Sequence, residues 1–346
     1  MEEINITELL LQEKLHFCFK STNISCPKNI RSSGAYAALY LFFLTGTLIT
    51  ICGNLLVIIS VSHFKQLHTP TNFLVLSLAI TDFLLGVCVM PISMVRTVET
   101  CWYFGNTVCV IHSYFDFALC TISICHLIFI SIDRYHAVCN PLFYSSKITV
   151  YVALFFIFVG WAVPLIYTAG LFYFKGNLEG NEDYDPCPGD CLVLLNSLWG
   201  VLDTLLTFFV PCLIMLNVYG KIFMVAKQHA IAIRSITNWP VNEKKQITIQ
   251  NKERKATKTL GIVMGVFCLC WLPFFVNNLI APYISLVTPP MIVDAFGWLG
   301  YFNSGFNPII YGFFYPWFRK ALKIIYTLEI FKSDSSLIKL FPDIYH

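Results

Sequence analysis

Charged side chains are scarce in this sequence. Lys, Arg, Asp and Glu make up 12% of its 346 residues, about half the roughly 25% of soluble domains, which argues against a soluble enzyme. A dense basic run interleaved with aromatic residues is also lacking, and the net charge is only +3, so nucleic acid is not an expected partner. With 57% apolar residues and 31 phenylalanines, disorder is excluded as well. The expected class is a membrane protein.

Long apolar runs predict seven transmembrane helices. A helix needs about 20 apolar residues to cross the hydrocarbon core, and these runs are too long and too continuously apolar for the strands of a β-barrel. The predicted spans are 36–62, 71–95, 109–135, 148–172, 192–226, 258–280 and 291–314. The expected fold is therefore an all-α membrane protein, a seven-transmembrane helix bundle.

The remaining segments give the domain organisation. Residues 1–34 are predicted to be an extracellular N-terminal tail, 35–315 the bundle and 327–346 a cytosolic tail. Residues 316–326 carry apolar side chains at helical spacing with basic residues opposite. This pattern predicts a short amphipathic eighth helix on the inner membrane leaflet.

The distribution of Lys and Arg gives the orientation of the chain. Six of the 23 fall on the side of the N-terminus and seventeen on the other side, so the N-terminus is predicted to be extracellular. Residues 1–34 lack the basic start and apolar core of a signal peptide, so the first span is expected to direct membrane targeting. Two Asn-X-Ser/Thr acceptors, Asn5 and Asn23, lie in this outer tail and are predicted glycosylation sites.

The 14 cysteines divide between two environments. One group lies outside or at the outer rim, where oxidising conditions permit up to three disulfide bonds in several alternative pairings. This group is Cys18, Cys26, Cys101, Cys109, Cys187 and Cys191. The other cysteines lie within spans or near the cytosolic face and are interpreted as small apolar packing residues.

Few ionisable residues lie within the predicted spans, and each is costly there unless it has a partner or a function. They are Asp82, Asp116, Asp133, Arg134 and Asp203. For each carboxylate the alternative interpretation is a protonated group or a structural hydrogen-bonding hub. Asp82 lies near mid-membrane, where an internal hydrated cluster is expected. Its expected polar neighbours are Asn54, Ser123, Asn303, Ser304 and Asn307.

One signature in each span carries a resemblance to a known family. The signatures are Asn54, Leu78-Ala79-Ile80-Thr81-Asp82, Asp133-Arg134-Tyr135, Trp161, Pro211, Cys270-Trp271-Leu272-Pro273 and Asn307-Pro308-Ile309-Ile310-Tyr311. Together they resemble the rhodopsin-like G protein-coupled receptors. Within that class, residues 63–72, 101–105 and 303–318 are similar to the trace amine-associated receptors, and residues 198–207 resemble their fish diamine-sensing olfactory branch.

This resemblance implies an amine ligand whose protonated nitrogen pairs with Asp116. Counted from Cys109, Asp116 lies about 10 Å below the outer rim. Aromatic side chains are expected to wall the cavity and to add cation–π attraction, with core packing as the alternative for each. They are Trp271, Phe274, Phe275, Trp298 and Tyr301. Thr207, in the branch-specific stretch, completes the predicted ligand-binding set.

Asp203 decides between two kinds of receptor. If it faces the cavity, two carboxylates on neighbouring helices suit a diamine or polyamine charged at both ends. If it faces lipid, it costs about 2.5–3.5 kcal/mol on the insertion scale. The prediction is the cavity-facing orientation. The alternatives are a monoamine receptor in which Asp203 is structural and, from another class, a channel or transporter, against which the absence of internal repeats and acidic rings argues.

The resemblance also implies the remaining partners and bonds. A heterotrimeric G protein, of the stimulatory type found in olfactory neurons, is expected to couple through Asp133, Arg134, Tyr135, Tyr219 and Tyr311. The implied disulfides are Cys109–Cys191, Cys18–Cys187 and Cys26–Cys101. No cofactor is expected other than an allosteric sodium ion at Asp82, Ser123 and Asn303. The expected location is the plasma membrane, in contact with lipid.

Overall fold

The computed structural model describes residues 16–19, 25–173, 187–191, 197–234, 241–281, 283 and 288–340. Its helices are α1 (Ser33–His63), α2 (Pro70–Glu99), α3 (Gly105–Cys139), α4 (Pro141–Lys147), α5 (Val150–Tyr173), α6 (197–234), α7 (Val241–Ile280), α8 (Pro290–Phe314) and α9 (Pro316–Tyr326). Short 3-10 turns occupy Lys65–Leu67, Glu329–Phe331 and Ser335–Leu337. The predicted glycosylation sites Asn5 and Asn23 lie outside the described residues.

The helices begin where local sequence signals place them. Ser32 precedes α1, and its hydroxyl accepts a hydrogen bond from the Ala35 amide. Thr69 caps α2 in the same way through the Asn72 amide, with Pro70 in the first turn. These contacts satisfy amide groups that have no partner inside a helix, and proline lacks the amide that would need one.

Six of the described helices are long and apolar enough to cross a membrane. The helix α8 is 25 residues long and is more polar because it buries Asn303, Ser304 and Asn307. It packs between α1 and α7. The predicted seven-helix bundle is therefore confirmed, and α9 supplies the short eighth helix.

Two prolines coincide with irregular turns in the bundle. A π turn at Leu85–Val89 stands just before Pro91, and another at Leu205–Phe209 stands just before Pro211. Each π turn adds one residue to the helical repeat, so the residues that precede it rotate relative to those that follow. The second π turn directly follows Asp203 and therefore affects the direction of its side chain.

The outer tail folds back on the bundle as a short hairpin. Phe17 and Pro27 form an isolated antiparallel bridge, and the Cys18 amide donates to the Cys26 carbonyl at 2.9 Å. A salt bridge of 2.6 Å joins Lys28 to Glu99 at the end of α2. The hydrogen bond that Lys28 donates to this carboxylate raises the pKa of Lys28 above its usual value, so the lysine stays charged at physiological pH. The tail is thus held by charge as well as by disulfides.

Three disulfide bonds fix the outer side, and two differ from the expected pairing. Cys109 is bonded to Cys191 as expected. The expected Cys18–Cys187 and Cys26–Cys101 bonds are wrong, because Cys18 is bonded to Cys101 and Cys26 to Cys187.

The surrounding backbone explains this exchange. The Cys26 amide donates to the carbonyl of Pro188 at 3.0 Å, which sets Cys26 beside Cys187. A Cβ on Gly189 would lie 2.7 Å from Cys18, and the Gly189 carbonyl accepts from the amide of Trp102, the neighbour of Cys101, at 2.8 Å. Sequence spacing does not reveal these contacts, since the hairpin sets Cys18 and Cys26 side by side.

We expect non-reducing peptide mapping of the purified protein to recover Cys18 joined to Cys101. Cys18→Ser is expected to leave Cys101 as a free thiol and to leave the Cys26–Cys187 bond intact, because the two bonds join the outer tail to different segments. The matched variant Cys26→Ser should free Cys187 instead. A peptide that joins Cys18 to Cys187 would contradict the structure.

Candidate ligand-binding and coupling sites

Asp116 lies half-buried on the outer half of α3. Its Oδ2 accepts a hydrogen bond of 2.6 Å from the Tyr301 hydroxyl of α8, and the thiol of Cys120, one turn along α3, lies 3.7 Å from its Oδ1. Among the described residues no basic side chain forms an ion pair with Asp116. The groups that contact it through hydrogen bonds are therefore neutral.

An aromatic cluster continues from Tyr301 across α7 to α6. The ring of Trp271 meets Tyr301 edge-on at 6.5 Å and packs against Phe274 and Phe275 at 5.8 and 5.7 Å. Phe275 in turn stacks on Phe208 of α6 at 4.5 Å. Four of the five predicted aromatic residues thus form one continuous surface that reaches Asp116 through Tyr301.

Trp298 has a different position from the other aromatic residues. Its indole Nε1 donates to Thr97 Oγ1 at 3.0 Å, and its ring lies 4.1 Å from that of Phe43 on α1. It also meets Tyr301 edge-on at 5.5 Å. These contacts are those of a packing residue that also contacts the ring of Tyr301.

Asp203 is buried between α6 and α5. Only 8% of it is exposed, which contradicts a lipid-facing orientation. Its Oδ1 accepts a hydrogen bond of 2.9 Å from the hydroxyl of Tyr167 on α5, and the Thr207 hydroxyl donates to its backbone carbonyl at 2.7 Å. Sequence reasoning missed Tyr167, because no spacing rule links a tyrosine of the fourth span to the fifth.

A polar cluster surrounds Asp82 at the centre of the bundle. Its Oδ1 accepts from Ser304 at 2.8 Å and from Ser123 at 3.4 Å, and its Oδ2 accepts from Asn307 at 2.7 Å. Asn54 adds a bond to the Ser304 carbonyl at 3.0 Å. Asn303, the residue before Ser304 on α8, is also buried but forms no hydrogen bond with Asp82. Within the described chain, its Oδ1 has no hydrogen-bond partner.

At the cytosolic end of α3, Arg134 is held by its neighbour Asp133. The guanidinium donates to Asp133 Oδ2 at 2.7 and 2.9 Å and also to the Thr71 hydroxyl. Tyr144 of α4 donates to Asp133 Oδ1 at 2.9 Å. Burial raises the pKa of Tyr144 to about 12, so its hydroxyl keeps the proton that it donates. Thr71 and Tyr144 were not predicted from the sequence.

Comparison with known proteins identifies the family of the chain. Residues 53–311 match the family of seven-transmembrane receptors of the rhodopsin type. Trace amine-associated receptor 13c of Danio rerio is 52% identical over 330 residues, 94% of this chain and 96% of the relative. Trace amine-associated receptor 4 of Rattus norvegicus is 51% identical over 344 residues, 98% of this chain and 99% of the relative. The chain belongs to the trace amine-associated receptors.

Membership of this family confirms several of the predictions. The trace amine-associated receptors are receptors of the plasma membrane that cross it several times, and they are not enzymes. The family implies an amine ligand and a heterotrimeric G protein. The predicted channel or transporter alternative is therefore wrong.

The three tyrosines predicted to couple this receptor to its G protein differ in burial and in the helices that they contact. Tyr135 is half-buried next to the arginine on α3. The ring of Tyr219 lies against α7, where a Cβ on Gly261 would approach it to 3.2 Å. Tyr311 is 1% exposed and its ring packs on Tyr315 at 5.8 Å. In the described structure none of the three bonds Arg134 directly.

Gly300 lets Trp271 pack closely against α8 in this receptor. A Cβ at this position would lie 2.7 Å from the indole ring, whereas a Cβ on Gly297 would meet nothing within 4 Å. We therefore expect Gly300→Ala to destabilise the purified receptor by about 1–3 kcal/mol through overpacking. The control Gly297→Ala should leave stability unchanged or slightly raised, because alanine favours the helix. Thermal unfolding measures both, and equal midpoints would contradict the close packing.

Proposed function

We propose that this receptor detects diamines or polyamines, with one ammonium group at Asp116 and the other at Asp203. The observation that carries the proposal is the burial of Asp203. It is 8% exposed, and its hydrogen-bond partner is a neutral tyrosine rather than a cation. A carboxylate in this environment pays a large desolvation cost that a bound ammonium offsets.

Asp116 supplies the first anchor in this proposal. It lies beside the aromatic cluster of Trp271, Phe274, Phe275 and Tyr301, and each ring there can add about 0.5–2 kcal/mol of cation–π attraction to an ammonium. Phe208 and Phe275 extend the apolar surface to α6, the helix that carries Asp203. An alkyl chain along this surface would leave an ammonium at each end.

A monoamine receptor is the second candidate function, and the Tyr167 contact favours it. The 2.9 Å hydrogen bond from Tyr167 to Asp203 joins α5 to α6. In this alternative Asp203 serves the packing of two helices, and only Asp116 meets the ligand. Under the diamine function the carboxylate of Asp203 pairs with the second ammonium group of the ligand. Under the monoamine function it does not contact the ligand.

We expect a matched pair of ligands, the five-carbon diamine and the five-carbon monoamine, to separate these functions. Asp203→Asn keeps the size of the side chain but removes the charge. It should weaken binding of the diamine by about 2–5 kcal/mol, as for other truncated buried charge pairs. Binding of the monoamine should be unchanged or stronger, because in this variant the bound monoamine no longer leaves a buried carboxylate unpaired. Asp116→Asn should weaken binding of both ligands by about 3–5 kcal/mol. Dose–response curves at equal surface expression measure the effects.

Tyr167→Phe is the control for a structural role of Asp203. It removes the hydrogen bond to Asp203 but keeps the carboxylate, so under the diamine proposal it should preserve the preference for the diamine. Parallel losses for both ligands in Asp203→Asn and Tyr167→Phe would mean that the pair only joins α5 to α6. The monoamine function would then replace the diamine function.

We also propose that the receptor signals through a stimulatory G protein of olfactory neurons, with Arg134 as the residue that contacts it. Arg134 is 4% exposed and donates to Asp133, so it must leave this position to reach a partner. Thr71 and Tyr144 strengthen the bound arrangement because both donate to the Asp133 carboxylate.

Tyr144→Phe is expected to raise ligand-independent signalling. The hydroxyl makes a hydrogen bond to a charged group, worth about 1.5–3 kcal/mol, and its loss should release Arg134 more often. Cyclic AMP and G protein recruitment without ligand should rise several-fold. The matched control is Tyr151→Phe, since Tyr151 is 84% exposed on the neighbouring α5. Unchanged basal signalling at equal surface expression would exclude this role for Tyr144.

A sodium ion at Asp82 is a further part of the proposed function. The atoms at Asp82 that could coordinate a cation are hydroxyl, amide and carboxylate oxygens. These are the hard ligands that such a cation prefers. The Oδ1 atoms of Asn54, Asn303 and Asn307 are buried and, in the part of the chain described, lack hydrogen-bond partners. The residues present therefore fit a small hard cation. Asp82, Ser123 and Asn303 would hold it.

A further inference from the structure

The chain does not leave the bundle at the end of α9. Residues 327–340, which we name the tail clasp, pass through the 3-10 turns Glu329–Phe331 and Ser335–Leu337 and return to the cytosolic end of α1. Leu340 is 2% exposed there, and its amide donates to Gln66 Oε1 at 2.7 Å. The tail clasp is therefore a folded element.

Two more contacts fix the tail clasp beside the membrane spans. Ser335 Oγ lies 2.9 Å from Nε2 of His63, the last residue of α1. Lys320 of α9 donates to the carbonyl of Lys339 at 2.6 Å. The tail clasp thus lies at the level where α1 ends and α8 passes into α9, which is the cytosolic membrane surface.

Large apolar side chains of this region point away from the protein. The exposed fractions are 77% for Tyr326, 66% for Leu328, 83% for Phe331 and 59% for Leu337. Leu328 adopts a left-handed backbone with φ of 57°, which is costly for a branched residue and needs surrounding contacts to persist. Phe331 and Leu337 lie in the two 3-10 turns, and Leu328 directly precedes the first of them.

Basic residues outnumber acidic ones in the segment that carries the exposed apolar side chains. Within residues 316–340 five basic side chains, all exposed, stand against two acidic ones. The basic residues are Arg319, Lys320, Lys323, Lys332 and Lys339, and the acidic ones are Glu329 and Asp334. Apolar groups framed by positive charge are typical of segments that bind an anionic membrane surface.

We propose that the tail clasp is a docking surface for the anionic lipids of the inner membrane leaflet. Leu328, Phe331 and Leu337 enter the boundary between headgroups and acyl chains. Lys323 and Lys332 contact the headgroups, and Lys332 exchanges its 3.4 Å contact with Glu329 for them. Each basic residue near such a surface contributes about fivefold to the binding equilibrium. The surface is continuous with α9 and α1, so lipid reaches it without a further conformational change. The proposal does not depend on the identity of the amine.

Amide hydrogen exchange of the full-length receptor tests this proposal. The probes are nanodiscs of phosphatidylcholine alone and nanodiscs in which phosphatidylserine replaces part of it. Amides of residues 328–338 should exchange at least about fivefold more slowly in the anionic discs. Phe331→Ser with Leu337→Ser, and separately Lys323→Glu with Lys332→Glu, should remove the difference. Leu142→Ser is the matched control, since Leu142 is 80% exposed on the cytosolic helix α4 and lies outside the tail clasp.

The comparison of lipids in the unmodified receptor decides the proposal even where a variant folds poorly. Equal exchange of residues 328–338 in both kinds of disc would overturn it. Protection that appears only after a heterotrimeric G protein is added would also overturn it, because the surface would then serve a protein partner.

Discussion

The cost of burying carboxylates in an apolar bundle shapes every functional part of this receptor. Asp133 has a cationic partner in Arg134, and Asp82 accepts hydrogen bonds from three neutral side chains. Asp116 accepts from a tyrosine hydroxyl and has a thiol at 3.7 Å, and Asp203 accepts from a tyrosine hydroxyl. Compensation therefore decreases from the cytosolic end towards the outer half. The least compensated carboxylates lie in the outer half of the bundle, where each keeps a desolvation cost that a cationic partner would offset.

Helix irregularities determine which of these carboxylates face the interior. The π turn at Leu205–Phe209 directly follows Asp203, and the extra residue in that turn changes the rotation of the outer part of α6 relative to the rest. In this arrangement Asp203 meets Tyr167 instead of lipid. A regular helical repeat counted back from Pro211 therefore does not reproduce the direction of the Asp203 side chain.

The sequence predicted the features that depend on chemistry along the chain. Apolar runs gave the seven spans, and the cost of charge in the membrane singled out Asp82, Asp116 and Asp203. It could not predict contacts between distant segments. The exchange of the Cys18 and Cys26 partners depends on how the hairpin lies on Gly189, and Tyr144 meets Asp133 only because α4 folds under α3.

The two ends of the receptor are held by interactions of different strength, and this difference favours movement at one end. Three disulfide bonds fix the outer tail and loop to α2 and α3, so these segments cannot separate without covalent change. Arg134 is held only by hydrogen bonds and one ion pair, which exchange reversibly with other partners. The covalent links on the outer side and the reversible contacts on the inner side therefore favour rearrangement at the cytosolic end of the bundle. That is the end at which Arg134 lies.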